Sequence, residues 1–293
     1  MAIISLDGDA RTFSVVDEGE GIGQPLGHHL DATTRAQLVY GIENGTGLRI
    51  VRDLKNRDDG RIAPDPLHVL QTNESIDFGT DVNANGDYNA DGFSDLVYGA
   101  PGALNDAGVV HIHYGSVNGY ASNPDLVLVG SHEGARFGAS LTMVGDVDGD
   151  GYDDLLVGAP GHNNASGNST GAVFVYTGFA TGLNSIPIWA DYGDTLNGLF
   201  GAHVEAAGDV NNDGFADMIV SEMGWEGTDE GLGRVHVYLG NTTLESNSNT
   251  INGTADDVIL GYAILGVGDA NGDGFDDVVI GNSKDQTAVS GYG

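Results

Sequence analysis

Short apolar runs recur along the whole chain and are separated by turns rich in glycine and asparagine. Residues 109–114, 172–176 and 234–238 have the alternating pattern of half-buried β-strands. Other apolar runs close on a small residue, at Gly99, Gly158, Ser221 and Gly281. With glycine and asparagine punctuation between them, these runs predict about four short strands in each unit of about 60 residues, which is typical of an antiparallel sheet.

A leucine-glycine or phenylalanine-glycine pair recurs and marks a repeat. In the last four copies, an aspartate follows the pair's glycine by eight residues, and the apolar run closes twenty residues after that glycine. The pairs are Leu26-Gly27, Phe78-Gly79, Phe137-Gly138, Phe200-Gly201 and Leu260-Gly261. The spacing predicts a single domain over 1–293 with repeats at 26–77, 78–136, 137–199, 200–259 and 260–293, the last completed by 1–25.

The first repeat is shorter than the others. Only 14 residues separate Gly27 from Gly41, compared with 20 between the equivalent residues of the later repeats. The stretch 29–36 contains a single acid, Asp31. We therefore expect this repeat to keep its strands and to lack the acidic loop that the later repeats carry.

Repetition of a four-stranded unit at this period predicts an all-β fold, a β-propeller in which each repeat is one blade. The last repeat ends at Gly293, where its third strand should begin, while residues 2–6 and 12–16 read as a third and a fourth strand. Head and tail would then close a five-bladed ring without exposed sheet edges. The alternative is a fragment of a larger propeller of about seven blades, and the sequence leaves both open.

Four segments carry oxygen side chains at positions 1, 3, 5 and 9, glycine at position 6 and an aromatic residue at position 7. Hard divalent cations take six to eight oxygen ligands, so the pattern predicts four Ca²⁺ sites. We expect the position 7 residue to supply its backbone carbonyl and to pack its ring inward. The predicted ligands are Asp87, Asn89, Asp91, Phe93, Asp95, Asp146, Asp148, Asp150, Tyr152, Asp154, Asp209, Asn211, Asp213, Phe215, Asp217, Asp269, Asn271, Asp273, Phe275 and Asp277.

Two other types of calcium loop fit the sequence less well. An EF-hand needs glutamate at position 12 and a helix after the loop. Here position 12 is apolar or tyrosine and lies in a predicted strand. The glycine-rich nonapeptide of calcium β-rolls is absent from the chain.

The composition narrows the choice of partners. The chain has 43 acidic and 10 basic residues, a net charge of −33, which excludes nucleic acid as a natural partner. It has no cysteine, so calcium would take over the stapling role of disulfides in a secreted protein. No apolar run approaches the ~20 residues needed to span a membrane. The N-terminus lacks the features of a signal peptide, and we expect a fragment of a longer chain.

The repeats resemble the FG-GAP repeats of integrin α-subunit propellers, over roughly residues 26–293. The matching residues are Phe137-Gly138, the loop 146–154 and Gly158-Ala159-Pro160, and equally Phe78-Gly79 with Gly99-Ala100-Pro101. The resemblance implies a calcium-binding β-propeller of the kind used for adhesion or ligand recognition outside the cell. The family often has seven repeats, whereas five are visible here.

Two further motifs point to packing rather than chemistry. Ser169 lies in a G-x-S-x-G pattern, but the pattern leads into a strand, whereas a nucleophile elbow leads into a helix. His111 and His113 share one face of a strand. Their counterparts in the strands of the later repeats are Val173, Val175, Val235 and Val237, which favours packing over metal binding.

The loops after the Gly-Ala-Pro positions vary in length and should lie on the face opposite the calcium loops, because successive turns of a meander alternate between its two ends. Their candidate ligand-binding residues are Asn163, Asn164, Trp225, Asp229 and Glu230. Trp225 could be a binding anchor or could fill the core of its own loop. We expect a non-enzymatic adhesion or binding module for a protein or glycan ligand, in which calcium is structural. The alternative is the non-catalytic propeller of a larger secreted enzyme.

Overall fold

A computed structural model describes residues 77–226, 232–244, 248–254 and 259–283, together with the backbone of strands at 2–6, 13–17, 38–41, 47–56 and 62–71. Within these ranges the secondary structure is almost entirely β, as the apolar pattern predicted. No helix in the described ranges is long and apolar enough to cross a membrane.

The strands follow one another with short connections. In chain order they are β1 (Ala2–Leu6), β2 (Phe13–Asp17), β3 (Leu38–Gly41), β4 (Gly47–Asn56), β5 (Ile62–Gln71), β6 (Val82–Gly86), β7 (Asp95–Ala100), β8 (Val109–His113), β9 (Leu126–Val129), β10 (Ser140–Gly145), β11 (Asp154–Ala159), β12 (Ala172–Tyr176), β13 (Trp189–Tyr192), β14 (Phe200–Gly208), β15 (Asp217–Glu226), β16 (Leu232–Tyr238), β17 (Ser248–Asn252), β18 (Ile259–Gly268) and β19 (Asp277–Ser283). One short helical turn, α1 (Ala103–Asp106), lies between β7 and β8.

Three sheets have four antiparallel strands in sequential order, which is the meander expected of a propeller blade. We call them sheet I (β6–β9), sheet II (β10–β13) and sheet III (β14–β17); sheet IV is the pair β18–β19. Strands β3–β5 form a three-stranded sheet, and β1 pairs with β2, with Ala2 opposite Asp17. Among the described strands, the β1–β2 hairpin and sheet IV belong to separate sheets, so closure of a ring stays a prediction.

The alternation of side chains along the second strand of each sheet explains how the sheets pack. In β11, Leu155 and Val157 belong to the apolar cluster shared with sheet I, whereas Leu156 belongs to the cluster shared with sheet III. In β15, Met218 and Val220 belong to the cluster shared with sheet II. Because both faces of these strands are buried, they read as continuous apolar runs in the sequence.

The glycine of each pair and the glycine that closes each apolar run meet where two repeats touch. The Gly79 amide donates to the Gly99 carbonyl at 2.7 Å, and the Gly138 amide donates to the Gly158 carbonyl at 2.9 Å. A Cβ on Gly99 would collide with the Gly138 carbonyl of the next repeat. These close backbone approaches explain why glycine recurs at the two positions.

The alignment of His111 and His113 with valines of later repeats is wrong. In the strand registers, Tyr98 lies opposite His111, and Leu96 lies opposite His113. The equivalent residues are therefore Phe174 and His236 for His111, and Tyr176 and Tyr238 for His113. The sequence comparison matched the strands at their last tyrosines, Tyr114, Tyr176 and Tyr238, and was therefore shifted by one residue relative to the strand pairing.

The packing role predicted for these two histidines is confirmed. The His111 ring stacks on Tyr98 with centroids 5.1 Å apart. His113 is fully buried, with Nε2 3.1 Å from the Tyr98 hydroxyl and Nδ1 2.9 Å from the Ala121 carbonyl.

Candidate metal centre

The four acidic segments connect the first and second strands of sheets I to IV, so each is the tip of one hairpin. We call them loop 1 (87–95), loop 2 (146–154), loop 3 (209–217) and loop 4 (269–277). A break in strand register precedes each loop, and in the last three a glycine with positive φ lies there, at Gly145, Gly208 and Gly268. Such a bulge turns the chain sharply out of the first strand.

Two positions within each loop adopt the left-handed conformation. Position 6 is glycine in every loop, with φ between 87° and 93° at Gly92, Gly151, Gly214 and Gly274. A Cβ at Gly92 would meet nothing within 4 Å, so the backbone conformation, and not space, demands glycine. Position 4 also has positive φ, at Ala90, Gly149, Asn212 and Gly272.

Backbone amides hold the carboxylates of each loop in place. In loop 1, Asp87 accepts hydrogen bonds from the amides of Asp91 at 3.0 Å and Gly92 at 2.8 Å. Asn89 accepts from the Asp91 amide at 3.1 Å, and Asp91 accepts from the Phe93 amide at 2.9 Å. The same four contacts recur in loops 2, 3 and 4, all between 2.8 and 3.1 Å.

The position 9 aspartate ties its loop to the body of the sheet. Asp95 is buried and accepts from the Tyr88 amide at 2.9 Å and from the Gly115 amide, just after β8, at 2.7 Å. Asp154 and Asp217 make the equivalent two contacts. Burial raises the pKa of Asp95 and of Asp154 to about 7 and that of Asp217 to about 6. A cation beside these carboxyls would favour their ionised form.

Loop 2 brings three carboxylates to one point. One oxygen each from Asp146, Asp148 and Asp154 lie within 4.8 Å of one another. The donor set is entirely oxygen, on a loop whose amides already orient the carboxylates, and this chemistry fits a hard divalent cation. In loops 1, 3 and 4, asparagine replaces the position 3 aspartate, so these loops combine three carboxylates with one amide.

The expectation that the position 7 rings pack inward is wrong for two loops. Phe93 is 41% exposed and Phe275 is 44% exposed. The physical reason is visible at Phe215, whose ring lies against Gly149 of loop 2, where a Cβ would approach it to 2.6 Å. The ring covers the loop of the preceding sheet and not the core of its own sheet.

A set of contacts between neighbouring loops was not anticipated from the sequence. The Asp87 amide of loop 1 donates to the Asp153 carboxylate of loop 2 at 3.1 Å, and the Asp209 amide of loop 3 donates to the Asp276 carboxylate of loop 4 at 2.9 Å. Asp153 and Asp276 both occupy position 8 of their loops. Recurrence at that position was the available signal, but nothing in a single repeat indicates a partner in the repeat before it.

Asn163 and Asn164 lie in the connection between β11 and β12, at the opposite end of sheet II from loop 2. The Asn164 side-chain oxygen Oδ1 accepts from the amides of Ser166 at 2.9 Å and Asn168 at 3.1 Å, which shapes its own turn. The Asn163 amide donates to His132 Nε2 at 3.0 Å. Ser169 precedes strand β12, as the sequence indicated, and its hydroxyl is 3.4 Å from the Gly161 carbonyl.

Trp225 lies at the far end of β15 from loop 3, and its ring packs over the Arg234 guanidinium at 5.2 Å. Arg234 forms ion pairs with the buried Glu222 and with Asp194, which extends from sheet II. Trp225 remains half-buried, so part of its ring faces solvent. Asp229 and Glu230 lie outside the described residues.

The FG-GAP repeat family model matches residues 74–113, 137–176 and 200–238, three of the repeats that the sequence predicted. The chain is 32% identical to integrin alpha-5 of Xenopus laevis over 187 residues, covering 60% of this chain and 17% of that protein. It is 37% identical to integrin alpha-PS5 of Drosophila melanogaster over 170 residues, covering 55% of this chain and 16% of that protein.

A longer alignment includes almost the whole chain. Integrin alpha-7 of Rattus norvegicus is 28% identical over 295 residues, covering 98% of this chain and 21% of that protein. The resemblance predicted from the sequence is therefore confirmed: the chain contains FG-GAP repeats and is similar to integrin alpha subunits. The chain spans about a fifth of the length of these relatives.

Proposed function

We propose that this chain is a calcium-stabilised β-propeller that serves as an extracellular adhesion or ligand-binding module. The observation that carries the proposal is the shared architecture of the four loops, in which the same amides orient oxygen side chains at the same positions. Loop 2, where three carboxylates converge, shows the arrangement most fully. The proposed ligands are the twenty residues predicted from the sequence.

Calcium at these loops would be structural. Each loop joins two strands, and in loops 1 to 3 the position 9 aspartate also accepts a hydrogen bond from the glycine after the third strand, as Asp95 does from Gly115. A cation would offset the repulsion among carboxylates gathered at one point and lock the hairpin to the rest of the sheet. Binding of a ligand that prefers the folded state raises the free energy of unfolding.

We assign ligand recognition to the face opposite the calcium loops, through Asn163, Asn164, Trp225, Asp229 and Glu230. Trp225 supports this assignment, because its ring is held by Arg234 and is partly exposed. A rigid aromatic ring that keeps one face in solvent is a frequent anchor for protein and glycan partners. A net charge of −33 argues against nucleic acid.

The integrin relatives support adhesion at the cell surface or outside the cell over an enzymatic role. A second candidate is the non-catalytic propeller of a larger secreted enzyme, since a propeller with these loops would serve either architecture. Sequencing the full transcript separates the two, because a catalytic domain in the same chain would favour the second.

Calcium stoichiometry tests the proposal. We expect titration calorimetry of the calcium-free protein to give four Ca²⁺ per chain. Asp150→Ala and Asp213→Ala should each remove one site, because each deletes a central ligand of one loop. Asp31 lies outside the described residues, in the repeat that the sequence predicts to lack a calcium loop; Asp31→Ala is therefore the matched control and should leave the stoichiometry at four. A value of five, or no binding, would contradict the proposal.

A further inference from the structure

We propose that Asp153 and Asp276 are positioning residues that couple neighbouring calcium loops, so that loops 1 and 2 form one linked pair and loops 3 and 4 another. This inference rests on the proposed calcium function and adds to it a connection between sites. Neither residue is among the proposed ligands, since both occupy position 8.

The first link joins loops 1 and 2 through two consecutive residues. Asp153 accepts the hydrogen bond of the Asp87 amide at 3.1 Å, and Asp87 is the position 1 ligand of loop 1. The next residue, Asp154, is the position 9 ligand of loop 2 and lies within 4.8 Å of the carboxylates of Asp146 and Asp148. A cation that orders Asp154 therefore also orders the group that holds Asp87.

The second link repeats the hydrogen bond from a position 1 amide to a position 8 carboxylate, here between loops 3 and 4. Asp276 accepts from the Asp209 amide at 2.9 Å, and the Asp276 amide donates back to the Asp209 carbonyl at 3.1 Å. Gly208 precedes Asp209 and has φ of 81°; a Cβ there would collide with the Asp276 carboxylate. The strand end is thus shaped to admit this carboxylate.

The junction between loops 2 and 3 is a natural contrast. Position 8 of loop 3 is Ala216, which has no carboxylate and makes only a backbone hydrogen bond, from its amide to the Asp146 carbonyl at 3.0 Å. Gly145 occupies the place of Gly208 with φ of 86°, and a Cβ there would lie 3.0 Å from the Ala216 Cβ. The backbone of this junction matches that of loops 3 and 4, but the side-chain link is missing.

Coupling follows from preorganisation. Fixing the Asp87 amide in advance reduces the conformational entropy that loop 1 loses on binding a cation. Because linkage is reciprocal, a cation in loop 1 must favour binding in loop 2 by the same factor. We therefore expect calcium to load as two linked pairs, with weaker coupling between loops 2 and 3.

The test needs a separate signal from each loop, and the position 6 glycines supply it. The amides of Gly92, Gly151, Gly214 and Gly274 each donate to the position 1 aspartate of their own loop. In ¹H–¹⁵N spectra of the full chain, Ca²⁺ titration should shift each resonance with the midpoint of its own site.

The decisive comparison is a double-mutant cycle between Asp150→Ala, which disables loop 2, and Asp153→Ala. In the parent protein, Asp150→Ala should raise the Gly92 midpoint by about fivefold or more, within the usual range of allosteric coupling. In the Asp153→Ala background, disabling loop 2 should leave the Gly92 midpoint unchanged. The Gly274 midpoint should not respond in either background.

Two further variants distinguish the effect of the hydrogen bond on coupling from the effect of the Asp153 charge and from a loss of folding. Asp153→Asn keeps an oxygen acceptor for the Asp87 amide and removes the charge, so the coupling should persist. Ala216→Asp adds the carboxylate that the junction of loops 2 and 3 lacks, so disabling loop 3 with Asp213→Ala should then raise the Gly151 midpoint. This new coupling between loops 2 and 3 tests the inference even if Asp153→Ala does not fold.

The outcomes distinguish this inference from the function on which it rests. If no glycine resonance of the parent protein responds to calcium, the metal-binding proposal fails and the coupling fails with it. If the resonances respond, but disabling loop 2 changes the Gly92 midpoint equally with and without Asp153, the coupling alone is wrong.

Discussion

At the scale of single residues, loop 2 differs from the other loops at position 3, where it has a carboxylate and they have an amide. Asn89 donates from Nδ2 to Asp91 at 3.1 Å, and Asn211 donates to Asp213 at 2.8 Å. The equivalent residue of loop 2, Asp148, has no proton to donate when it is ionised. Burial and the charge of Asp150 raise the pKa of Asp148, which reflects the crowding of carboxylates. The structure of loop 2 should therefore depend on a bound cation more than the structures of the other three loops do.

Asp148→Asn tests this difference. The substitution removes one negative charge from the ligand set, so the calcium affinity of loop 2 should fall by about tenfold, or about 1.4 kcal/mol. In calcium-free buffer the same change should raise the free energy of unfolding, because it relieves repulsion. The Gly151 midpoint and urea unfolding in EGTA measure the two effects.

Asn211→Asp is the matched control in loop 3. It should increase the calcium affinity of that loop, measured by the Gly214 midpoint, and lower the free energy of unfolding in EGTA. Unchanged affinity in Asp148→Asn would show that the position 3 side chain does not contact the cation.

The ligand positions could be predicted from the sequence because they recur at fixed offsets within one repeat. The role of Asp153 could not, because its partner, Asp87, lies in the preceding repeat. The exposure of Phe93 and Phe275 was missed because the pattern of one repeat does not show what surrounds its ring; Phe215, for example, packs against Gly149 of the preceding loop.

At the scale of strands, continuous apolar runs predicted β7, β11 and β15 well, because both faces of these strands are buried against apolar neighbours. The register of the third strands was harder to predict. The sequence comparison aligned Tyr114 with Tyr176 and Tyr238, whereas the strand pairing makes His113 the equivalent of these two tyrosines. Pairing across a sheet depends on turn geometry that composition does not encode.

Strand β14 carries a half-buried acid, Glu205, that the sequence did not single out. Burial, and to a smaller extent the charge of Asp81, raises the pKa of Glu205 to about 7. Asp81 lies before β6 in sheet I and accepts from the Leu141 amide of β10 at 2.8 Å. The first strands of sheets I, II and III therefore bring these two acids near each other.

Glu205→Gln tests how much the ionised Glu205 carboxylate lowers the free energy of unfolding. A carboxyl whose folded pKa lies above its ordinary value destabilises the protein as pH rises from about 4.5 to 7, since folding then disfavours the ionised form. Glu205→Gln should be nearly neutral near pH 4 and more stable than the parent at pH 8, by on the order of 1 kcal/mol. Urea unfolding at several pH values in saturating calcium gives the comparison. A constant difference across that range would contradict the assignment.

At the scale of the whole molecule, consecutive sheets pack face to face through shared apolar clusters. Val97, Leu156 and Ile219 are fully buried against the next sheet, whereas Val279, the equivalent residue of sheet IV, is 54% exposed. A closed five-bladed ring, one of the two arrangements that the sequence leaves open, would cover Val279. The sequence could not decide closure, because a stacking repeat has the same pattern in a ring of any size.

The charge of the molecule supports a stabilising role for the proposed calcium ions. Four Ca²⁺ ions would cancel eight of 33 net negative charges, and they would do so where carboxylates are most concentrated. A strongly acidic chain without disulfides depends on such offsets to stay compact.

Thermal unfolding with and without calcium is the most direct test of the central claim, that the four loops hold structural cations. In excess Ca²⁺, we expect a midpoint higher by about 10 °C or more than in EGTA, since each site occupied well above its Kd adds about 2–3 kcal/mol to the free energy of unfolding. Mg²⁺ at the same concentration controls for charge screening and should give a smaller increase. The same midpoint in Ca²⁺ and in EGTA would contradict the claim.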